Sequence, residues 1–253
     1  MIIGNRGNGS LGDCLYITSV FRYTKGKVVL HDDQQCRQVG NIFSDICEVE
    51  YSENPPERPD NALQNNNITL PPVHRTRKIL LSIGIQELIS VPFIKLKQQE
   101  IEWAENFLKE YKNPVVIIND NSGSGDKTNI RANYVKPPNI VMQKICDDLT
   151  RNGHTPLQFG RKENEKFTPL KNSIPIRGLS IREIAACYYI IKKYVGGDTG
   201  DYHLMIAVGG VANVLIPNES LNLGYLYSDL LYKPENFENN ISRVKYINYN
   251  SFL

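Results

Sequence analysis

The run Gly196-Gly197-Asp198-Thr199-Gly200-Asp201-Tyr202-His203 lies between a short apolar segment and the apolar stretch 204–208, as a strand, a turn and a helix start would. The first N–H groups of a helix have no intrahelical acceptor and the helix dipole is positive there, so such a turn suits an anion, a diphosphate above all, without an added metal. Its glycines let a ligand approach the backbone closely. Thr199 and His203 are four residues apart on the helix and share a face, which would aim a hydroxyl and an imidazole at one ligand. A plainer alternative stands beside this one: Asp198 as an N-cap and His203 as a packed surface histidine.

Two further segments carry chemistry. Gly7-Asn8-Gly9-Ser10-Leu11-Gly12-Asp13 contains a formal GxGxxG, with Asp32 and Asp33 about 20 residues beyond, the spacing of a dinucleotide-binding fingerprint. Against it, Asp13 would present a like charge to a pyrophosphate. Asp13 at a loop-to-helix junction could instead act as a general base on a hydroxyl, or be no more than a first-turn carboxylate favoured by the helix dipole. The third segment, Asn119-Asp120-Asn121-Ser122-Gly123-Ser124-Gly125-Asp126-Lys127, follows the apolar run 115–118. Lys127 there could neutralise a departing diphosphate, or be a solvated loop lysine.

The elements that must position these residues alternate. Strands are expected at 1–3, 27–30 and 46–51, with a helix over 13–22, a loop over 52–72 and helices over 75–83 and 98–111. A Pro- and Asn-rich loop of that length is often functional. The rhythm resumes with strands at 114–118, 155–159, 194–195 and 211–216 and helices over 139–152, 180–193 and 199–208. This predicts an α/β protein of two Rossmann-like domains facing across a cleft, with residues 1–95 on the acceptor side, 96–230 holding the nucleotide, and a Tyr- and Asn-rich tail, 231–253, packing back.

Bulk properties narrow the class. With 253 residues, 41% hydrophobic and 22% charged, the chain can bury a core. Lys plus Arg exceed Asp plus Glu only by 29 to 27, and residues 1–95 hold ten of each sign, so no broad basic field for nucleic acid exists. The cluster His74, Arg75, Arg77, Lys78 is the one local basic hint. Five scattered cysteines without a CxxC pair read as reduced thiols, with no zinc site. No signal core or long apolar window is present, which predicts a cytoplasmic protein, at most peripheral to the inner membrane and with no integral membrane contact.

Together the three segments resemble glycosyltransferase family nine, the ADP-heptose:lipopolysaccharide heptosyltransferase-like enzymes of GT-B fold. The resemblance rests on Ser10-Leu11-Gly12-Asp13-Cys14-Leu15 with Thr18, and on Asp198-Thr199-Gly200-Asp201-Tyr202-His203-Leu204 after the apolar helix and short strand at 181–194. It implies that Asp13 is the catalytic base, with Gly9 and Gly12 shaping its loop. It also implies that Asp198, Thr199, Gly200 and His203 bind the donor's diphosphate and nearby sugar, that Lys127 and Ser122 contact phosphate, and that Glu163 or Glu165 is the acidic ribose ligand. The chain departs from the family in its shortness, in the Asn-rich 52–72 loop and in Asn129-Ile130 after the lysine. The implied activity is an inverting, metal-independent transfer from a nucleoside-diphosphate sugar, with no cofactor, to a glycan, a lipid-linked or lipopolysaccharide-core hydroxyl, or a hydroxylated base of modified DNA. The rival classes are an NAD(P)-dependent oxidoreductase built on the first loop and a catalytically silent sugar-nucleotide-binding module.

Overall fold

The computed structural model describes residues 1–5, 11–59, 75–86, 91–119, 137–160, 169–216 and 243–252. The chain forms two compact units that divide between Lys95 and Leu96, with Arg243–Leu253 belonging to the second.

In the first unit β1 (Ile2–Asn5), α1 (Leu11–Thr18), β2 (Lys27–His31), α2 (Gln34–Gly40) and β3 (Glu48–Ser52) succeed one another, followed by α3 (Arg75–Ser82). The strands pair in parallel in the order β1-β2-β3, with Gly4 opposite Val29 and Leu30 opposite Tyr51. Parallel neighbours need a crossover, and α1 and α2 supply it. The buried run Val28-Val29-Leu30 is what a central strand covered on both faces requires. Beyond Thr18, α1 tightens into a 3₁₀ turn, Ser19–Arg22.

Helix α2 has no counterpart in the sequence reading. Its Gln-Gln-Cys-Arg-Gln-Val-Gly buries only Cys36, Val39 and Gly40, too few apolar positions to set a period. What starts it is Asp33, whose carboxylate accepts the Cys36 N–H at 2.6 Å. Asp32 pairs with Arg37 at 2.6 Å. Both acids that a dinucleotide fingerprint would send to a ribose are therefore engaged at the start of this helix.

Residues 53–58 leave β3 without regular structure, yet Pro55 and Arg58 are buried. This segment crosses β1 where the strand has no side chain. A Cβ on Gly4 would stand 2.0 Å from the Pro56 carbonyl oxygen and 2.4 Å from its carbon. The remainder of the expected 52–72 loop, from residue 60, lies outside the described residues.

The second unit contains β4 (Pro114–Ile118), β5 (Thr155–Phe159), β6 (Ile174–Ile176), β7 (Lys193–Gly196), β8 (Val211–Ile216) and β9 (Val244–Asn248). Its helices are α4 (Gln98–Leu108), α5 (Asn139–Arg151), α6 (Ile181–Ile191) and α7 (Gly200–Ala207). All neighbouring strands are parallel, in the order β6-β5-β4-β7-β8-β9. Numbered within the unit this is 3-2-1-4-5-6, the doubly wound dinucleotide-fold order. Two strands escaped the sequence reading. β6 is only Ile-Pro-Ile and tolerates Pro175 because it is an edge strand. β9 comes from the stretch read as an aperiodic tail and extends the sheet beside β8.

One face of this sheet buries Val115, Ile117, Val195 and Leu215 against Val141, Met142 and Ile145 of α5 and against Tyr249. Elsewhere Phe159 of β5 meets Tyr188 of α6 edge-on, ring centroids 5.2 Å apart. Helix α6 opens on a capping box, in which Ser180 N–H donates to Glu183 at 2.7 Å and Glu183 N–H to Ser180 Oγ at 3.3 Å. It closes at Lys192, which adopts a left-handed conformation, φ 61°. Arg182 of α6 clamps Glu100 of α4 through two hydrogen bonds, Nε to Oε1 at 2.7 Å and Nη2 to Oε2 at 2.5 Å. Burial pushes the Glu100 carboxyl up, but the Arg182 and Lys97 hydrogen bonds and charges outweigh it and hold the group below its ordinary range.

Gly4→Ala is expected to destabilise the chain by about 1–3 kcal/mol, because the new methyl meets backbone that no rotamer change can move; urea unfolding measures it. Glu100→Gln is expected to cost about 1 kcal/mol at pH near 7. The folded-state pKa is depressed, so the carboxylate's contribution is complete above the unfolded pKa and lost as pH falls through the folded one. Wild-type and variant unfolding curves should then converge in acid, and a gap that persists there would contradict the assignment.

Candidate functional site

In a sheet of order 3-2-1-4-5-6, the chain leaves strands 1 and 4 toward opposite faces and opens a crevice at their carboxyl ends. Here those strands are β4 and β7, and Ile118 pairs with Gly196 at that edge. A Cβ on Gly196 would lie 2.7 Å from the Ile118 carbonyl oxygen and 2.6 Å from the Tyr194 hydroxyl, so only glycine lets β7 end this close to β4. The turn Gly197-Asp198-Thr199 and the first residue of α7, Gly200, follow at once.

Thr199 is the N-cap of α7, with extended backbone (φ −131°, ψ 169°), and its Oγ1 accepts the Asp201 N–H at 3.3 Å. Tyr194, wholly buried, donates its hydroxyl to the Gly197 carbonyl at 2.9 Å and lies 3.3 Å from Thr199 Oγ1. With the phenolic proton committed to Gly197, the single Thr199 hydroxyl proton faces two acceptors, the Tyr194 oxygen and Asp201 Oδ2 at 3.5 Å. The threonine hydroxyl is thus spent on holding the turn, and what the helix start offers a ligand is backbone N–H. Tyr188 completes the support from α6, donating to Asp201 Oδ1 at 3.1 Å. Burial first, and then the Asp201 charge, push both tyrosines well above their ordinary range, so both remain neutral donors. Sequence reasoning missed these two tyrosines; two buried-strand and helix tyrosines shortly before a Gly-Gly-Asp turn are the signal that could have found them.

His203, one turn into α7, is buried, and its ring lies 3.9 Å from that of Tyr202. It sits inside the fold, not on the surface. Across the sheet edge, Asn119 is the first residue after β4. It is only 5% exposed, donates Nδ2 to Asn139 Oδ1 at 3.0 Å, and has a buried Oδ1 with no hydrogen-bond partner among the described residues. Leaving a buried acceptor unpaired costs about 1–3 kcal/mol, a cost that a bound donor group would remove. Lys127, Ser122, Glu163 (with Glu165) and Gly9 lie outside the described residues.

In the first unit Gly12 and Asp13 fall in the first turn of α1, where a carboxylate meets the positive end of the helix dipole. Asp13 is 24% exposed, and its Oδ1 lies 3.4 Å from Nη1 of Arg58, which is 4% exposed. Arg58 carried no weight in the sequence reading, because it sits in a Pro-rich stretch with no periodicity to place it.

None of the five cysteines is in a disulfide. Burial pushes the Cys36 and Cys146 thiols up to about 11 and those of Cys47 and Cys187 up to about 12, so these four are not nucleophiles at neutral pH. Among the described residues, no three His, Cys, Asp or Glu side chains stand close enough to hold a metal ion, and no helix is long and apolar enough to cross a membrane.

Tyr194→Phe removes the hydroxyl that holds the turn and is expected to cost about 1–3 kcal/mol, since the Gly197 carbonyl loses its donor. Thermal or urea unfolding of the full chain measures this, and an unchanged midpoint would show that the turn stands without it.

No protein-family model matches the sequence, and no curated protein matches it. Solved structures do match. ADP-heptose lps heptosyltransferase II of E. coli is 12% identical, with 97% of this chain and 89% of that chain covered at a TM-score of 0.59. A glycosyl transferase family 9 protein from Veillonella parvula is 12% identical, covering 96% and 84% at a TM-score of 0.58. E. coli heptosyltransferase WaaC, solved with ADP, is 12% identical, covering 86% of each chain at a TM-score of 0.52. The chain has the α/β fold of these GT-B glycosyltransferases.

Proposed function

We propose that the protein is an inverting, metal-independent glycosyltransferase that moves a sugar from a nucleoside-diphosphate donor to an acceptor hydroxyl. The observation that carries this reading is the start of α7 at the switch point between β4 and β7, near Asn119, whose buried Oδ1 has no hydrogen-bond partner among the described residues. Backbone N–H groups and the positive end of a helix dipole favour a diphosphate there. Solved proteins of this fold include heptosyltransferases whose names specify ADP-heptose and lps, which supports a nucleotide sugar as donor and a glycan hydroxyl as acceptor.

In the proposed reaction Asp13 takes the proton of the acceptor hydroxyl, and that oxygen forms a bond to the anomeric carbon from the side opposite the diphosphate. The bond from the anomeric carbon to the phosphate oxygen breaks, and the nucleoside diphosphate leaves carrying the electron pair. Its charge is stabilised at the Gly200 helix start and by Lys127, with Ser122 as a further phosphate contact. Asp198, Thr199 and His203 serve the diphosphate and the nearby sugar, and Glu163 the ribose. The oxidoreductase alternative is weakened by the capture of Asp32 and Asp33 at the start of α2.

A thermal-shift panel of ADP-, UDP-, GDP-, CDP- and dTDP-linked sugars beside NAD and NADP tests the reading. At least one sugar nucleotide should raise the midpoint; stabilisation by NAD or NADP alone would favour hydride transfer. With the stabilising sugar nucleotide, Asp13→Asn should lower kcat by about 10²–10⁴-fold, the usual worth of a general base, and leave donor affinity nearly intact. An Asp13→Asn protein with the wild-type rate would remove Asp13 from the mechanism.

A further inference from the structure

A guanidinium that is 4% exposed is an expensive thing to bury, and replacing such ion pairs by packed apolar groups is often neutral or stabilising. Stability alone gives little reason to keep Arg58 inside the first unit. Its position is also over-determined. Pro55 is buried, Pro56 lies with its carbonyl against the bare backbone of Gly4, and two residues later Arg58 turns Nη1 toward Oδ1 of Asp13 at 3.4 Å. A glycine in β1 and two prolines after β3 thus lie on the path that brings the Arg58 guanidinium to the Asp13 carboxylate in α1. The Asp13 side chain itself remains 24% exposed, so it is held from within without being closed off from solvent.

We propose that Arg58 is a positioning residue for Asp13, its buried guanidinium fixing the orientation of the carboxylate that receives the acceptor proton, with the Gly4–Pro56 contact setting where the guanidinium stands. The proposal rests on the reading of Asp13 as the base. A carboxylate in the first turn of a helix has several staggered rotamers open to it; pinning one oxygen selects one of them and removes the reorientation that proton transfer would otherwise require. The guanidinium touches neither donor nor acceptor in this role, so its loss should be felt in the chemical step and not in donor binding.

The test compares wild type, Arg58→Ala, Arg58→Lys and Asp13→Asn, all as full chains. The donor is the sugar nucleotide from the panel above that wild type turns over, and release of the nucleoside diphosphate is followed with water or a glycan hydroxyl as acceptor. Arg58→Ala is expected to lose about a hundredfold in kcat, the scale of a small misplacement of a reacting group, with donor KM changed by less than about twofold. Arg58→Lys should keep an intermediate rate. Guanidinium chloride at low, non-denaturing concentration should restore part of the Arg58→Ala rate without moving its thermal midpoint, and should restore nothing to Asp13→Asn. A wild-type kcat in Arg58→Ala overturns the positioning role and leaves the transferase reading standing. So does a loss in both Arg58 variants that follows their thermal midpoints and is not relieved by guanidinium. If Arg58→Ala does not fold, Arg58→Lys decides, since a wild-type rate there, or a raised donor KM at unchanged kcat, also overturns the role. Failure of the wild-type chain to turn over any sugar of the panel overturns the transferase reading and this proposal together.

Discussion

The second unit depends on one reversal. The chain lays down β4, builds outward through β5 to β6, and then returns to place β7 on the other side of β4. Two adjacent parallel strands whose following segments depart to opposite faces cannot both be covered at their carboxyl ends, and the opening between them is a consequence of strand order alone. Gly196 lets the two strands end in contact, Tyr194 and Thr199 hold the turn that follows, and α7 begins at that spot. The hydroxyls around it are consumed in keeping the turn in place, and what a helix start has left to give a ligand is backbone N–H.

Much of this was legible in the sequence. The strands 114–118, 155–159 and 211–216 show as short apolar runs bounded by polar residues, and each occurs in the structure with those limits. Helices α5 and α6 carry an apolar face at helical spacing. What could not be read is instructive in each case. Helix α2 is held by its Asp33 cap and not by amphipathicity. β6 is too short to show a period and contains a proline that only an edge position excuses. β9 becomes a strand because β8 offers it an unpaired edge, a tertiary circumstance that no local pattern encodes.

The candidate site shows the same division. The Asp198-Thr199-Gly200 turn stood out by residue type, yet its supports, Tyr188 and Tyr194, come from a helix and a strand that read as ordinary core. Asp13 stood out as a charge at a helix start, while its partner Arg58 lies in a stretch whose only visible property was a surplus of proline. Residue type marks the groups that can do chemistry. The groups that hold them are marked by burial, which is a property of the folded chain.

β9 has one more consequence, for the order in which the molecule is made. The sheet of the second unit receives its sixth strand from Val244–Asn248, and the residues just after it, including Tyr249, enter the same core as α5. During synthesis β8 must wait with an open edge, and one face of the sheet with an unfilled gap, until these late residues leave the ribosome. The three described strands of the first unit's sheet all come from within residues 2–52. Its strands can therefore pair early, whereas the nucleotide-fold sheet closes as a late event, with an exposed parallel edge in the interval.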